Sequence, residues 1–166
     1  MDHRVNEKPL VSAFLCEKVL NEKDGVLTYV RVVDLFTVPM VPQSDRARML
    51  VWLAVIVKSG NAKGKYVLSL RMITPTGEAK PLGDETPIAL NGGEHGISAN
   101  VMLALDVKTD GLFGIDVLID GEVLNHVPFR VKLVPLPQGP PESERSTPSE
   151  PERSTPSEQD HQPQKS

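Results

Sequence analysis

One cysteine, one tryptophan and four histidines among 166 residues leave little material for several kinds of chemistry. A lone cysteine, Cys16, forms no internal disulfide, so nothing here requires an oxidising compartment. Its neighbours Phe14 and Leu15 mark it as a small buried residue; a reactive thiolate needs a base and partial exposure. His3, His95, His126 and His161 lie too far apart in the chain for metal-ligand spacing. No metal or cofactor is expected. No serine sits in a Gly-x-Ser-x-Gly elbow, and no catalytic residue stands out. Asp116 and Asp120 lack calcium-loop spacing and are expected on a solvated sheet face. Gly92, Gly93 and Gly96 are not followed by the helix that a phosphate-cradling loop requires.

Charge of one sign is also scarce. The chain has 18 Lys plus Arg against 22 Asp plus Glu, a net of −4. Residues 138–166 hold six of the acids and three of the bases, so the remainder has 16 acids and 15 bases. A near-neutral body has no field to gather nucleic acid or an anionic membrane, and neither is an expected partner. Long apolar runs are missing too. The longest, residues 49–57 (MLVWLAVIV), is less than half of the roughly 20 residues that span a bilayer as a helix. Residues 10–16 form a poor signal-peptide core. Leu15 is too large for a lipoprotein cleavage site before Cys16, so the expected location is cytoplasmic.

What is present is alternation. No window shows a helical period, whereas several show the period of two that marks a half-buried strand. Residues 10–19, 26–36, 49–57, 66–73, 97–107, 113–119 and 123–133 read as strands. Asp24-Gly25 and Asp120-Gly121 supply the positive φ of tight hairpins. Residues 61–64 read as a hairpin loop, and residues 91–96 as a flexible one. Asn125 breaks the inward series of the last strand, as a bulge would. Seven to eight strands joined by short turns predict an all-β fold, a two-sheet antiparallel sandwich over residues 10–137. A flexible start, residues 1–9, precedes it.

The run at 49–57 is the organising strand. Leu50, Trp52, Ala54 and Ile56 are expected to fill the core. Met49, Val51, Leu53, Val55 and Val57 then point away and need a cover. The segment 78–90, the loop around residues 39–42 or a second subunit would provide it, with cover from within the chain preferred. That loop, within residues 37–48, holds Pro39, Met40, Val41 and Pro42. Its prolines argue against a regular ladder, and its apolar residues suggest a contact point for another protein. Residues 138–166 contain no Ala, Val, Ile, Leu, Met, Phe, Trp, Tyr or Cys and carry a tandem octad, ERSTPSEP then ERSTPSEQ. With no apolar area to offset ordering, this C-terminal tail is expected to be disordered.

Ala13-Phe14-Leu15-Cys16-Glu17, Asp24-Gly25 with Leu27, Phe36 with Pro39, and Asp120-Gly121 followed by Val127-Pro128 together resemble a family of small bacterial proteins of unknown function. The resemblance spans residues 11–133. It implies an immunoglobulin-like sandwich and brings no catalytic residues. Three functional expectations follow. The first is a non-enzymatic module that binds another protein or itself, through a sheet face or through Pro39, Met40, Val41 and Pro42. The alternative is a small-ligand binder or enzyme with a site built from the loops around Asn91 and Gly96. A structural or appendage component is the third.

Overall fold

The computed structural model describes residues 8–40 and 44–136. The expectation for the tail, and those for most of the first nine residues, lie outside that range. Eight strands run in the order β1 (Leu10–Asn21), β2 (Leu27–Val32), β3 (Leu35–Met40), β4 (Ala47–Ile73), β5 (Ala79–Pro81), β6 (Thr86–Val107), β7 (Gly111–Ile119) and β8 (Glu122–Pro135). The all-β expectation holds. The hydrogen bonding, however, joins all eight strands into one curled sheet, β2-β1-β4-β7-β8-β3, with β5 and β6 both pairing β4.

One sheet results because β4 does not stop where a hairpin loop is expected. It continues through residues 58–63, paired with β6 throughout, and contacts β1 in its first half and β7 in its second. The two stretches taken for loops, residues 61–64 and 91–96, are therefore strand, and Lys63 of the first pairs with Asn91 of the second. From Lys58 to Gly60 β4 advances two residues while β6 advances three, Gly96 to Gly93; from Gly60 to Lys63 β4 advances three and β6 two. These are two bulges of opposite sense, which is where glycine belongs in a strand. Gly60 and Gly93 both take positive φ. Gly92 does as well, and a Cβ on it would meet the Lys63 side chain at 2.4 Å.

The extra residue reverses which face of β4 is buried, since a slip of one residue turns every side chain over. Before the bend the odd positions are buried: Met49, Val51, Leu53, Val55 and Val57. After it the even positions Tyr66, Leu68 and Met72 are buried. Both halves thus face one core, lined on the far side by Ile115, Val117, Val127, Phe129 and Val131. Phe129 stacks on Phe113 at 5.6 Å and meets Phe36 edge-on at 5.9 Å.

Two further expectations are corrected. Residues 37–40 are not loop: Thr37, Val38, Pro39 and Met40 belong to β3, which runs parallel to β8. Proline is tolerated there because β3 is an edge strand, where a missing donor breaks no ladder. The strand expected over 26–36 is split at Val33–Asp34. Val33 N–H donates to Leu15 in β1, and Asp34 C=O accepts from Arg130 in β8. Two consecutive residues thus bond to opposite ends of the sheet, so the curl brings its first and last strands together. The hairpin at Asp120-Gly121 is as expected, with φ of 48° and 80°. So is the bulge near Asn125: Val117 pairs with Asn125, but Leu118 pairs with Val123.

Candidate functional site

The strand at 49–57 buries the opposite face from the one expected. The core takes the odd residues; Leu50, Trp52, Ala54 and Ile56 face outward. Register partners share a face of a sheet, so the outer surface of β2, β1, β4 and β6 can be read row by row. Its central row is Val32, Cys16, Trp52 and Met102. On one side Leu50 lies beside Ala104; on the other Ala54 lies between Phe14 and Asn100. Leu50 is 67% exposed, Met102 59% and Val32 67%. Trp52 and Phe14 are half-buried, and the Phe14 ring meets Tyr29 edge-on at 4.9 Å. Cys16 and Ala54 are fully buried beneath these larger neighbours. Burial pushes the Cys16 thiol up, against a smaller lowering from the Lys18 backbone.

An ion pair closes one end of this apolar patch. Arg48 Nε donates to Asp106 Oδ1 at 2.7 Å and Nη2 to Oδ2 at 3.1 Å, a bidentate fork. The hydrogen bond from Arg48 holds the Asp106 carboxyl below the usual carboxylate range, and it raises Arg48 in turn. The opposite end is polar, with Ser12, Ile56 and Ser98 in one row and Lys58 beyond.

The outer face of the other half differs in chemistry. There Arg71, Asp116 and His126 form a row across β4, β7 and β8. Asp116 Oδ2 accepts from Arg71 Nε at 2.8 Å, and its Oδ1 lies 2.6 Å from His126 Nδ1. The carboxylate is buried, contrary to the solvated face expected for it. Burial alone would raise its pKa; the hydrogen bonds and charges of His126 and Arg71 outweigh that and hold it below its ordinary value. With both oxygens engaged it is a poor general base. Gly114 leaves room for the imidazole, since a Cβ there would lie 2.3 Å from His126 Cε1. This row ties three strands together.

Of the expected contact residues, Pro39 and Met40 sit in β3, where Met40 is 37% exposed; Val41 and Pro42 lie outside the described residues. Three shallow clefts among the described residues are lined by Glu78, Lys80, Asp106 and Lys108 (about 180 Å³), by Leu35, Leu112 and Arg130 (about 340 Å³), and by Ser69, Arg71, Pro81 and Leu118 (about 230 Å³). None of the three draws on residues 91–96. No helix among the described residues is long and apolar enough to cross a membrane.

Residues 11–132 match a family of unknown function, DUF6941. The chain belongs to this family. A comparison with curated proteins found no match. Among solved structures it is similar to the CARDB domain of a Pyrococcus furiosus protein in complex with di-metal ions, with 13% identity, a TM-score of 0.38, and coverage of 76% of this chain and 89% of that one. It is also similar to a Listeria innocua β-glucosidase, with 11% identity and a TM-score of 0.40, covering 74% of this chain and 16% of the enzyme. A third is the Pseudomonas fluorescens alkylpurine DNA glycosylase bound to DNA containing an abasic-site analogue, with 12% identity and a TM-score of 0.36, covering 60% of this chain and 27% of that chain. The chain therefore spans about a quarter of the glycosylase and about a sixth of the glucosidase.

The family segment contains the whole apolar face and the Arg71–Asp116–His126 row, and it ends before the tail. The sequence reading placed Leu50, Trp52, Ala54 and Ile56 inside. The contrary signal was in the series itself: Arg48 and Lys58 share parity with Leu50, Trp52, Ala54 and Ile56, whereas the odd positions from Ala47 to Val57 carry no charge.

Proposed function

We propose that this member of the DUF6941 family is a non-enzymatic, immunoglobulin-like interaction module that docks another protein on the outer face of β1, β4 and β6. The observation that carries this reading is the exposure of Leu50 and Met102 beside Trp52, at the centre of a sheet face. Interface centres favour tryptophan, methionine, phenylalanine and arginine and disfavour lysine and acids. Here Trp52, Met102 and Phe14 occupy the middle, and charge enters at the ends, through Arg48 and Asp106 at one and Lys58 at the other. A folded partner laid on this face removes apolar surface from water without stranding a charge.

The edge at Pro39 and Met40 supports a second contact, since Met40 is exposed on an outermost strand. The small-ligand alternative at residues 91–96 has less support, because those residues are paired with β4.

A photo-crosslinking amino acid placed at Leu50 of the full chain in its native cells tests the reading, with Lys80, an exposed residue at the far end of β4's partners, as control. A discrete protein adduct from position 50 and none from position 80 is the expected result. Equal adducts at both, or none at 50, would remove the face as a docking surface. The same label at Met40 decides whether the β3 edge takes part.

A further inference from the structure

We infer that the β6 edge, residues 97–105, pairs antiparallel with the same segment of a second copy of this chain, centred on Val101. This goes beyond the face described above and rests on a different observation, the contrast among the sheet's outer strands. Such strands present unpaired N–H and C=O groups, and proteins blunt them with proline, charge, irregularity or short length. Three of the four here are blunted. In β2 Arg31 adopts φ 51°. β3 contains Pro39, and β5 is three residues long and ends in Pro81. Residues 97–105 of β6, ISANVMLAL, have no proline, no charged residue and no positive φ, and among the described residues β6 pairs with β4 alone. The core side of this edge is apolar throughout, and the outer side is apolar at Met102 and Ala104 and polar at Ser98 and Asn100. Met102 and Ala104 are exposed on the outside, and Ile97, Ala99 and Val101 remain only half-buried on the core side.

The register and the occupant follow from charge. A two-fold axis at Val101 sets residue i against residue 202 − i. Ile97 then faces Leu105, Ala99 faces Leu103, and Lys108, just past the strand, comes opposite Glu94 of the second copy, twice by symmetry. An axis at Asn100 would oppose Asp106 to Glu94; one at Met102 would oppose Glu94 to Asp110. Only the central choice of the three is free of like charges, which is the self-complementarity a two-fold interface demands. Residues 137–166, with no aliphatic or aromatic side chain apart from proline, are a poor apolar cover for this edge.

Sedimentation of the full chain, with a covalent trap, tests this. The wild type is expected at twice 18.2 kDa. K108E and E94K should each weaken the dimer roughly tenfold, and the double variant should recover it. V101C should give a disulfide-linked dimer on mild oxidation, because directly opposed antiparallel residues lie ~4.5–5.5 Å apart at Cα, within disulfide reach. Cys16 is fully buried and is a silent background. A wild type that stays monomeric at all concentrations overturns the inference. So does a dimer indifferent to K108E and E94K and not trapped by V101C. A monomer that still gives a foreign adduct from Leu50 would overturn this inference alone and leave the docking face standing.

Discussion

The two outer faces of the curled sheet are both laid across antiparallel strand pairings, yet they are built differently. Across β4, β7 and β8 the outward positions are Arg71, Asp116 and His126, hydrogen-bonded in a row. Across β2, β1, β4 and β6 they are Val32, Cys16, Trp52 and Met102. An antiparallel sheet with one face on the core is expected to be polar on the other. The first face obeys that rule and the second does not. Folding accounts for the first. For the second, the inner series is already complete, with Val51, Leu53, Val55 and Val57 each at most 1% exposed. Among the described residues the outer apolar side chains are thus surplus to the core, and the proposed docking face is the reading that gives them a role.

The sharpest way to break this comparison is to exchange the roles of Leu53 and Leu50. Leu53 has no exposure and lies opposite Leu15 and Val101. Leu53→Ala is expected to cost about 3 kcal/mol, the lost transfer energy plus a cavity the neighbours fill incompletely. Urea unfolding followed by Trp52 fluorescence reads it. A cost under about 1 kcal/mol would mean that the core face is misassigned.

Next in size is the bend that lets both halves share a core. Gly92→Ala adds a Cβ at φ 77° and 2.4 Å from the Lys63 side chain. Lysine can move aside; the backbone angle cannot be relieved as easily, so the expected cost is about 1–2 kcal/mol. The same substitution at Gly93, also at positive φ but with nothing within 4 Å, isolates the backbone contribution.

This bend marks the limit of what the sequence conveyed. The alternation at 66–72 and 97–105, the Asp120-Gly121 turn and the misfit at Asn125 were all legible, because each is a local pattern of period two or its interruption. Residues 61–64 and 91–96 were not, since a glycine-bearing stretch looks the same whether it is solvated or pairs with another such stretch far along the chain. β3 was missed for a related reason: proline forbids a central strand but not an edge, and edge position is a tertiary fact. The candidate face was half legible. Its residues were identified, but the series holding Trp52 was assigned to the core, although the charges at Arg48 and Lys58, which share its parity, pointed the other way.

The polar face offers a smaller effect with a pH signature. Asp116→Asn keeps the shape and removes the charge, leaving Arg71 and His126 without their anion. Arg71 is 41% exposed, so solvent screens part of the loss, and about 1 kcal/mol is expected near neutrality. The sign follows from the direction of the shift. A carboxyl held below its ordinary value of 3.8 contributes stability in full above that value and loses it as the pH falls through the lower folded value. The gap between wild type and variant should therefore close below about pH 4. A gap that stays constant into acid would mean that the carboxylate is not held by its neighbours.

The smallest expected effect on stability belongs to Leu50, and it is the one that decides what the apolar face is for. Burial contributes ~25 cal/mol for each Å² withdrawn from water, so a leucine that keeps 67% of its surface exposed adds little to folding. Leu50→Ser is accordingly expected to shift the unfolding free energy by about 0.5 kcal/mol or less, far below Leu53→Ala three residues away. Were the face covered by the chain's own segments, the serine would be buried against apolar neighbours, and the cost would rise towards ~2 kcal/mol. A neutral Leu50→Ser that nonetheless abolishes a crosslinked adduct at a neighbouring outer-face position would separate the two roles of β4: one series of side chains that folds the protein, and one that the fold does not need.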